Sequence, residues 1–473
     1  MKKIAIKLTA IALVLAMLFS VSGCSVIYSV IPDLCPHESC EETVIKPATC
    51  TEKGSKKLIC KTCATEKVEE IDFAEHDFSS GWQKNNQTHY HKCKNCPAIE
   101  DTANHDFSGV DGENKVCTVC EYVQVVAKGE LSFHFMMLGN DYAGDCVYVK
   151  AGDNDILIDA GSRANSVDDI QNYVDQYVTD GKFEYVIITH ADQDHIAGFA
   201  AAESIFDLYE CQTIIDFNKS NKSLTTDSGG QSLYAKYLAN RDEEIQAGAK
   251  RYSALDCYNN QNGASRVYNL TEDGNIRFEV LYNYYYKNYS KDENNYSVCV
   301  MFYHGDRQFL FTGDLEKEGE EYLAQKYEFT QVELYKAGHH GSKTSSNDCL
   351  LSEIQPKVCV VCCCAGSVEY TDNLNNTFPT QDMINRISPY TDAVYAPITI
   401  DIIQTKGMDT PNDVSDDEYK NDGEYKLLNG NIQVISDAVN GVKVECSNNT
   451  TKLKDTEWFA NYRQMPVAWR ETA

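Results

Sequence analysis

The sequence predicts an α/β catalytic domain, with helices layered on sheet, from residue 129 onward, preceded by a cysteine- and histidine-rich region. Three observations predict this organisation. From Leu131 onward, short apolar runs alternate with helix-like stretches, which is typical of helices packed on a sheet. Half of the 20 cysteines lie at or before Cys120, where apolar residues are sparse. A histidine- and aspartate-rich stretch, residues 188–198, directly follows an apolar run, which is where open α/β layers place their chemistry.

The size and charge of the chain limit its partners. Its 473 residues are enough for two or three domains, and its formal net charge is -29 at pH 7. Such a surface repels polyanions, so nonspecific nucleic-acid binding through bulk charge is disfavoured. Nucleic acid can bind only where basic residues gather locally.

The N-terminus predicts an exported protein. Lys2 and Lys3 precede an apolar run, residues 8–21, that is short for a transmembrane helix and has the size of a signal h-region. The run ends in Val21-Ser22-Gly23-Cys24, which resembles the lipobox of bacterial lipoproteins. The resemblance implies a signal peptide over residues 1–23 and lipidation of Cys24, which anchors the protein to the outer face of the bacterial cell membrane. The alternative is an ordinary cleaved signal with an incidental cysteine.

Residues 24–128 form the Cys/His-rich region, in which residues 73–78 and 102–107 echo each other. With so few apolar residues, the segment needs a metal or disulfides to fold. Three C-x-x-C pairs with trailing histidines favour zinc-ribbon-like sites, whereas export favours disulfides. We predict one zinc site from Cys50, Cys60, Cys63 and His76, and a second from His91, Cys93, Cys96 and His105. The remaining pair, Cys117/Cys120, then needs partners from Cys35, His37 or Cys40.

The same region resembles short Cys/His repeats of clostridial surface proteins. The resemblance lies in Pro47-Ala48-Thr49-Cys50-Thr51-Glu52-Lys53-Gly54 and in the His-Asp-Phe stretches. It implies a spacer or binding module, with cell-wall contact through the repeats as one role.

Residues 129–473 are predicted to form one catalytic domain. A hairpin, residues 297–311, leads to Thr312-Gly313-Asp314, and a later strand leads to a polar run over residues 336–346. His304 lies in the hairpin and is predicted to be a turn residue rather than a metal ligand. Three consecutive cysteines, residues 362–364, alternate faces of a predicted strand, so we expect buried core rather than a metal site.

Three motifs together resemble the metallo-β-lactamase superfamily, and within it the extracytoplasmic hydrolase domain of ComEC-type DNA-uptake proteins. They are His190-x-Asp192-x-Asp194-His195, the Thr-Gly-Asp after the hairpin, and His339-His340-Gly341-Ser342 after a strand. The resemblance implies an αββα sandwich and a binuclear metal site. In that site one metal takes His190 and Asp192, the other takes Asp194, His195 and His340, and Asp314 bridges both. Asp159 matches another motif and is implied to orient the ligand loop.

The ligand set departs from the usual superfamily pattern in two ways. Asp192 stands where many members carry a histidine, and no histidine occurs between His195 and His304. An oxygen-rich coordination sphere favours harder ions, so we expect zinc at one position and manganese or zinc at the other. Of the two adjacent histidines, His340 is favoured as the ligand, which leaves His339 to face the substrate.

The expected function is a surface-anchored phosphodiesterase or nuclease that uses a metal-bridging hydroxide. Asp192, Asp194 and His339 are the expected catalytic residues, and contacts to substrate phosphate are expected from Lys336, His339, Ser342, Lys343 and Ser345. One alternative is hydrolysis of a lactone, a thioester or a wall-polymer phosphocholine ester. Another is a non-catalytic surface-binding protein. Polyanion binding weakens steeply with salt and so distinguishes a nuclease from a lactonase.

Overall fold

The computed structural model describes residues 35–85, 88–107, 114–125, 127–371, 373–400 and 425–470. The chain divides into two compact units, residues 1–109 with 116–122, and residues 110–115 with 123–473. The predicted signal peptide and Cys24 lie outside the described residues. Within the described part of the chain, no helix is both long enough and apolar enough to cross a membrane.

The first unit contains two small antiparallel sheets, each of three strands in chain order. Their bounds are β1 (Cys40–Lys46), β2 (Gly54–Cys60), β3 (Glu66–Ile71), β4 (Gln83–Lys84), β5 (Thr88–Lys92) and β6 (Ile99–Asn104). The chain then forms a two-stranded sheet, β7 (Asn114–Val116) with β8 (Val123–Val125). Among the described residues up to Tyr122, every buried apolar side chain is a cysteine, while Val44, Val68 and Phe73 are more than half exposed. This unit therefore has no hydrocarbon core.

The second unit is built on two large sheets. The eight strands of one sheet, in spatial order, are β14 (Lys250–Ser253), β13 (Glu210–Asp216), β12 (Lys182–Ile187), β11 (Asn154–Ile158), β10 (Val147–Ala151), β9 (Glu130–Phe135), β25 (Ile432–Asp437) and β26 (Gly441–Cys446). The seven strands of the other are β15 (Val267–Asn269), β16 (Ile276–Leu281), β17 (Cys299–His304), β18 (Arg307–Phe311), β19 (Leu334–Lys336), β20 (Val358–Val360) and β22 (Val394–Tyr395). A smaller sheet joins β21 (Cys364–Ala365), β23 (Ile398–Ile400) and β24 (Tyr425–Leu427).

Helices lie between these strands along the chain. Their bounds are α1 (Ser166–Val174), α2 (Gln193–Ile196), α3 (Ile205–Leu208), α4 (Leu233–Ala247), α5 (Ala254–Asn259), α6 (Lys317–Lys326), α7 (Asp348–Ile354), α8 (Gln381–Ile387) and α9 (Glu457–Tyr462).

The two large sheets pack face to face, with helices on their outer faces. The ring of Phe133 on β9 lies 5.3 Å from that of Phe302 on β17, across the space between the sheets. The next residue of β9, His134, points the other way and bonds the hydroxyl of Tyr173 on α1 at 2.8 Å. On β18, Leu310 likewise faces away from the sheet interface, toward α6 and α7. The predicted αββα sandwich is confirmed.

The direction of the strands positions the functional motifs. β11, β12 and β13 run parallel in the first sheet, and β18, β19 and β20 run parallel in the second. The carboxyl ends of parallel neighbours meet at one edge, so the loops that follow these strands are brought together there.

One expectation about side chains outside that edge is confirmed. Cys362, Cys363 and Cys364 are at most 4% exposed and belong to three different apolar clusters, as the alternation of faces predicts.

The prediction that His304 is a turn residue is wrong, because it is the fully buried last residue of β17 and is paired within the sheet. Its Nδ1 lies 3.0 Å from Ser436 Oγ, and its Nε2 lies 2.9 Å from the carbonyl oxygen of Lys128.

Candidate functional site

Asp159 fixes the loop that carries the histidine–aspartate motif. It follows β11 in the left-handed conformation (φ 57°) and is fully buried. Its carboxylate accepts hydrogen bonds from the backbone N–H and the hydroxyl of Thr189, both at 2.7 Å. It also lies 2.7 Å from Nδ1 of His195, which assigns the ring proton to Nδ1. Nε2 of His195 is thereby left as the nitrogen that can bind a metal.

Four buried side chains converge at this edge: Asp194, His195, Asp314 and His340, whose ligand atoms all lie within 4.8 Å of one another. They come from α2, from the loop after β18 and from the loop after β19. Asp314 Oδ2 lies 3.1 Å from Nε2 of His195 and 3.2 Å from Nε2 of His340. These residues therefore form a candidate metal centre with two imidazole and two carboxylate ligands.

The surroundings of two imidazole nitrogens at this centre indicate whether the site fits a metal. Nε2 of His340 and Nε2 of His190 are buried and have no hydrogen-bond partner among the described residues. The His340 nitrogen nevertheless lies 3.2 Å from oxygens of both Asp194 and Asp314. A buried nitrogen without a hydrogen bond costs stability unless a cation uses its lone pair. The donor set thus fits a divalent metal.

The remaining predicted ligands, His190 and Asp192, lie beside this group. Their nearest atoms, Nε2 and Oδ2, are 3.4 Å apart, and the His190 ring centroid is 4.1 Å from that of His195. Asp192 is also ion-paired with the ammonium group of Lys222. Burial alone would raise the pKa of Asp192, but the interactions with His190 and Lys222 outweigh it and lower the pKa to about 2. Asp192 is therefore ionised at neutral pH.

Lys336 is a correction to the expected substrate contacts. Its side chain is buried, and its ammonium group pairs with Asp145 and, at 3.1 Å, with Asp314 Oδ1. Burial lowers the pKa of Lys336, but the two carboxylates raise it well above its usual value. Lys336 therefore neutralises charge inside the protein and does not face a substrate.

Asp145 is a site residue that the sequence reasoning missed. It is buried, and its Oδ1 lies 3.2 Å from Nδ1 of His340, which also bonds the carbonyl oxygen of Cys362 at 2.8 Å. The signal that would have found it is a lone carboxylate at the entrance to an apolar run, residues 146–149. A charge in such a run needs a buried partner.

The rest of the polar run after β19 divides into exposed and buried members. Ser345 is fully buried with its hydroxyl directed at the carbonyl of Asp314 (3.5 Å), so its expected phosphate contact is also corrected. Ser342 is buried and bonds Thr344 Oγ1 at 3.1 Å. Lys343 is exposed but bonds Asn376 at 3.1 Å. His339 is partly exposed and lines the cavity over the candidate centre.

That cavity has a volume of about 270 Å³. Its lining residues are Arg163, Asp192, Gln193, Asp194, Lys222, Asn294, Asp314, His339, Glu369 and Tyr370. Tyr370 donates a 2.8 Å hydrogen bond to Asp194, and Arg163 is ion-paired with Glu369. Lys222, Arg163 and Tyr370 come from loops without a recognisable motif, so no sequence pattern predicted their part in the site.

Glu320 and Arg386 hold the histidine loop from outside the cavity. The Glu320 carboxylate accepts the backbone N–H groups of Ser346 (2.6 Å) and Asn347 (2.8 Å). The Arg386 guanidinium donates to the carbonyl oxygens of Ser345 (2.8 Å) and Ser346 (2.9 Å). Because these two side chains fix the backbone just beyond the His339–His340 pair, they are positioning residues.

The cysteine and histidine side chains of the first unit also group together, but not as predicted. The three groups are Cys35, His37, Cys60 and Cys63; Cys50, His76, Cys93 and Cys96; and His89, His105, Cys117 and Cys120. Cys50 does not join Cys60, because Cys50 precedes the seven-residue strand β2 and Cys60 ends it. The strand between them spans roughly 20 Å at about 3.3 Å per residue. His91 belongs to no group: its Nδ1 lies 3.0 Å from the carbonyl of Ser80, and its ring stacks on Trp82.

Comparison with known proteins identifies the class of the second unit. Residues 139–209 and 291–365 match the family model of the metallo-β-lactamase superfamily. The second unit thus contains a metallo-β-lactamase domain, and this similarity supports a metal-dependent hydrolase.

Among curated proteins, the chain is related to competence proteins. It is 26% identical over 180 residues to ComE operon protein 3 of Bacillus subtilis, a match over 38% of this chain and 20% of the relative. It is 34% identical over 99 residues to competence protein ComA of Neisseria gonorrhoeae, over 20% of this chain and 13% of that protein. A third match, 32% over 72 residues, is recombination protein 2 of Haemophilus influenzae, over 15% and 9%. The chain thus spans a fifth or less of these relatives.

The similarity to solved structures is weaker. The metallo-β-lactamase fold protein YhfI from Bacillus subtilis is 11% identical, with a TM-score of 0.32, over 56% of this chain and 95% of that one. CmlA, a diiron β-hydroxylase from Streptomyces venezuelae, is 11% identical, with a TM-score of 0.28, over 52% and 47%.

The burial of Glu320 predicts a pH-dependent stability. Burial raises the pKa of its carboxyl to about 7, despite the hydrogen bonds from Asn347 and Ser346 that lower it. The folded state therefore binds a proton that the unfolded state releases near pH 4.5. The contribution of this proton to the unfolding free energy is complete below that pH and is lost as the pH rises toward 7. From pH 5 to pH 8, we expect the unfolding free energy of the wild type to fall relative to that of Glu320→Gln by on the order of 3 kcal/mol.

Urea denaturation at several pH values measures this difference. Glu321→Gln is the matched control, since Glu321 is a neighbour on α6 with an exposed side chain. A wild-type-to-Glu320→Gln difference that does not vary with pH would contradict the prediction.

Proposed function

We propose that the second unit is a binuclear, divalent-metal-dependent phosphodiesterase that acts on extracytoplasmic phosphodiesters, nucleic acid among them. The observation that carries the proposal is the convergence of the buried ligand atoms of Asp194, His195, Asp314 and His340, which all lie within 4.8 Å of one another. Zinc or manganese suits this mixed nitrogen and oxygen donor set.

The ligands divide between two metal positions. Asp194, His195 and His340 would hold one cation, His190 and Asp192 would hold the other, and Asp314 would serve both. When bound, the two cations activate a water nucleophile at neutral pH and neutralise charge that develops on the phosphoryl group. The protein keeps the ligands in place through Asp159, which orients His195, and through Tyr370, which donates to Asp194.

The cationic side chains around the cavity favour an anionic substrate. Lys222 and Arg163 line the cavity in a chain whose net charge is -29. Lys222 is ion-paired with Asp192. Lys222 would contact a substrate phosphate oxygen if a cation neutralised the Asp192 carboxylate. Arg163 is itself ion-paired with Glu369, so Lys222 is the lining cation that we assign to the phosphate.

We assign His339 the role of proton acceptor at the cavity, because a neutral imidazole accepts a proton and is too weak an acid to protonate a leaving group. Burial lowers its pKa, although the charge of Asp314 opposes the shift, so the ring is neutral at neutral pH. Nδ1 of His339 is engaged with Thr344 Oγ1 at 3.1 Å, which leaves Nε2 as the nitrogen for proton transfer.

We also propose that Cys24 carries a lipid anchor that holds the enzyme on the outer face of the bacterial membrane. The support is the Val21-Ser22-Gly23-Cys24 sequence after an apolar run, residues 8–21. More than one acyl chain is needed for stable anchoring, and lipoprotein processing supplies it.

The activity is tested with bis(p-nitrophenyl) phosphate and either zinc or manganese. We expect His340→Ala to lower kcat/KM by more than 100-fold, because loss of even an outer partner of a metal ligand costs about 10- to 100-fold. His91→Ala is the matched control, since His91 belongs to none of the candidate metal groups among the described residues. Full activity in His340→Ala would refute the proposed centre.

The role of Lys222 is tested by Lys222→Ala. Its side chain is partly exposed, so its contact with phosphate is worth about 1 kcal/mol, and KM should rise roughly fivefold with little change in kcat. Lys219→Ala is the control, because Lys219 bonds the carbonyl of Lys287 and does not line the cavity. The KM for neutral p-nitrophenyl acetate should not change, and an equal change for both substrates would count against a phosphate contact.

The anchor is tested by Cys24→Ser. In a bacterial host, the wild-type chain should incorporate a labelled fatty acid and partition into the detergent phase of Triton X-114. Cys24→Ser should do neither, because it removes the thiol that is acylated. Equal labelling of the variant would exclude Cys24 as the modified residue.

A further inference from the structure

The first unit contains three compact groups of cysteine and histidine side chains that play no part in the hydrolase centre. We name them by their C-x-x-C pairs. The Cys60 group contains Cys35, His37, Cys60 and Cys63; the Cys93 group contains Cys50, His76, Cys93 and Cys96; the Cys117 group contains His89, His105, Cys117 and Cys120. Each group has four members, which is the coordination number of structural zinc.

The sulfur–sulfur distances distinguish zinc from disulfides. Sγ atoms lie 3.6 Å apart for Cys35 and Cys60, and 3.9 Å apart for Cys50 and Cys93. A disulfide requires about 2.05 Å. Thiolates bound tetrahedrally to zinc at about 2.3 Å are separated by roughly 3.8 Å. The observed separations therefore have the spacing of a shared metal.

The histidines of all three groups face the sulfur atoms through the same ring nitrogen. The Sγ–Nδ1 distances are 3.4 Å for Cys63–His37, 3.2 Å for Cys96–His76, 3.3 Å for Cys120–His105 and 3.7 Å for Cys117–His89. The opposite nitrogen of His105, Nε2, is 2.8 Å from the carbonyl of Asn85, which sets the tautomer that leaves Nδ1 to bind metal.

Burial gives an independent reason for a metal. All apolar side chains that are buried among the described residues up to Tyr122 belong to these groups: Cys35, Cys60, Cys63, Cys93, Cys117 and Cys120. Small domains without an apolar core depend on a metal or disulfides to fold. Here the residues that would form the core are themselves the ligands.

We propose that the first unit binds three zinc ions, two of them with three cysteines and one histidine and the third with two cysteines and two histidines. The Cys93 group joins successive repeats, because Cys50 precedes β2 whereas Cys93 and Cys96 follow β5. The Cys117 group continues the pattern, with His89 on β5 and the cysteine pair between β7 and β8. Zinc therefore links each repeat to the next and replaces an apolar core.

The test is zinc content, measured by elemental analysis of the purified full chain. The double variants Cys60→Ser/Cys63→Ser, Cys93→Ser/Cys96→Ser and Cys117→Ser/Cys120→Ser should each lose one zinc per chain relative to wild type. Cys40→Ser is the matched control, because Cys40 lies in the same region but in none of the groups. Differences from wild type are independent of metal in the hydrolase centre, so failure of one proposal does not affect the other.

A second measurement on the wild type does not depend on the variants folding. With zinc bound, the group cysteines should resist alkylation, and all should react after chelation and denaturation without any reductant.

Cobalt substitution reports the number of thiolates in each group. In the cobalt-substituted protein, the sulfur-to-metal charge-transfer band should fall least in the Cys117→Ser/Cys120→Ser variant, because that group supplies only two thiolates. Cysteines that stay blocked until a reductant is added, with no zinc lost in any variant, would overturn the proposal in favour of disulfides.

Discussion

The candidate centre depends on the electrostatic balance of four carboxylates buried at one edge of two sheets. Asp145, Asp159, Asp194 and Asp314 are each at most 7% exposed. Such a concentration of buried negative charge is strongly unfavourable unless cations accompany it. The chain itself supplies Lys336, which pairs with Asp145 and Asp314. The remaining negative charge favours the binding of divalent metal at this edge.

The ionisation of the histidines follows from the same balance. Burial lowers the pKa of His340, but Asp314 and Asp145 raise it well above its usual value. The pKa of Asp314 is held well below its usual range, against the effect of burial, by His340 and Lys336. The protonated imidazole of His340 therefore balances part of the carboxylate charge. Binding of a metal needs neutral imidazoles, so metal and proton compete for the same nitrogens.

The two units are stabilised by different interactions. In the second unit, Phe133, Phe302 and Phe309 pack between the sheets, and hydrophobic burial holds the strands whose ends carry the site. In the first unit, Val68 and Phe73 are exposed, and the buried positions belong to cysteines and a histidine. The first unit therefore gains little from hydrophobic burial, and its order rests on short-range contacts among thiols and imidazoles.

The sequence by itself determined the fold class, the motif that carries His190 to His195 and the burial of residues 362–364, because each is encoded locally. Strand–helix alternation, ligand spacing within one loop and the alternation of faces along a strand need no distant contact. Only the tertiary structure decided that Lys336 is an internal counterion, that Asp145 joins the site and that Cys50 lies with Cys93. Each of these depends on contacts between segments that are far apart in the chain, and the local sequence does not specify those contacts.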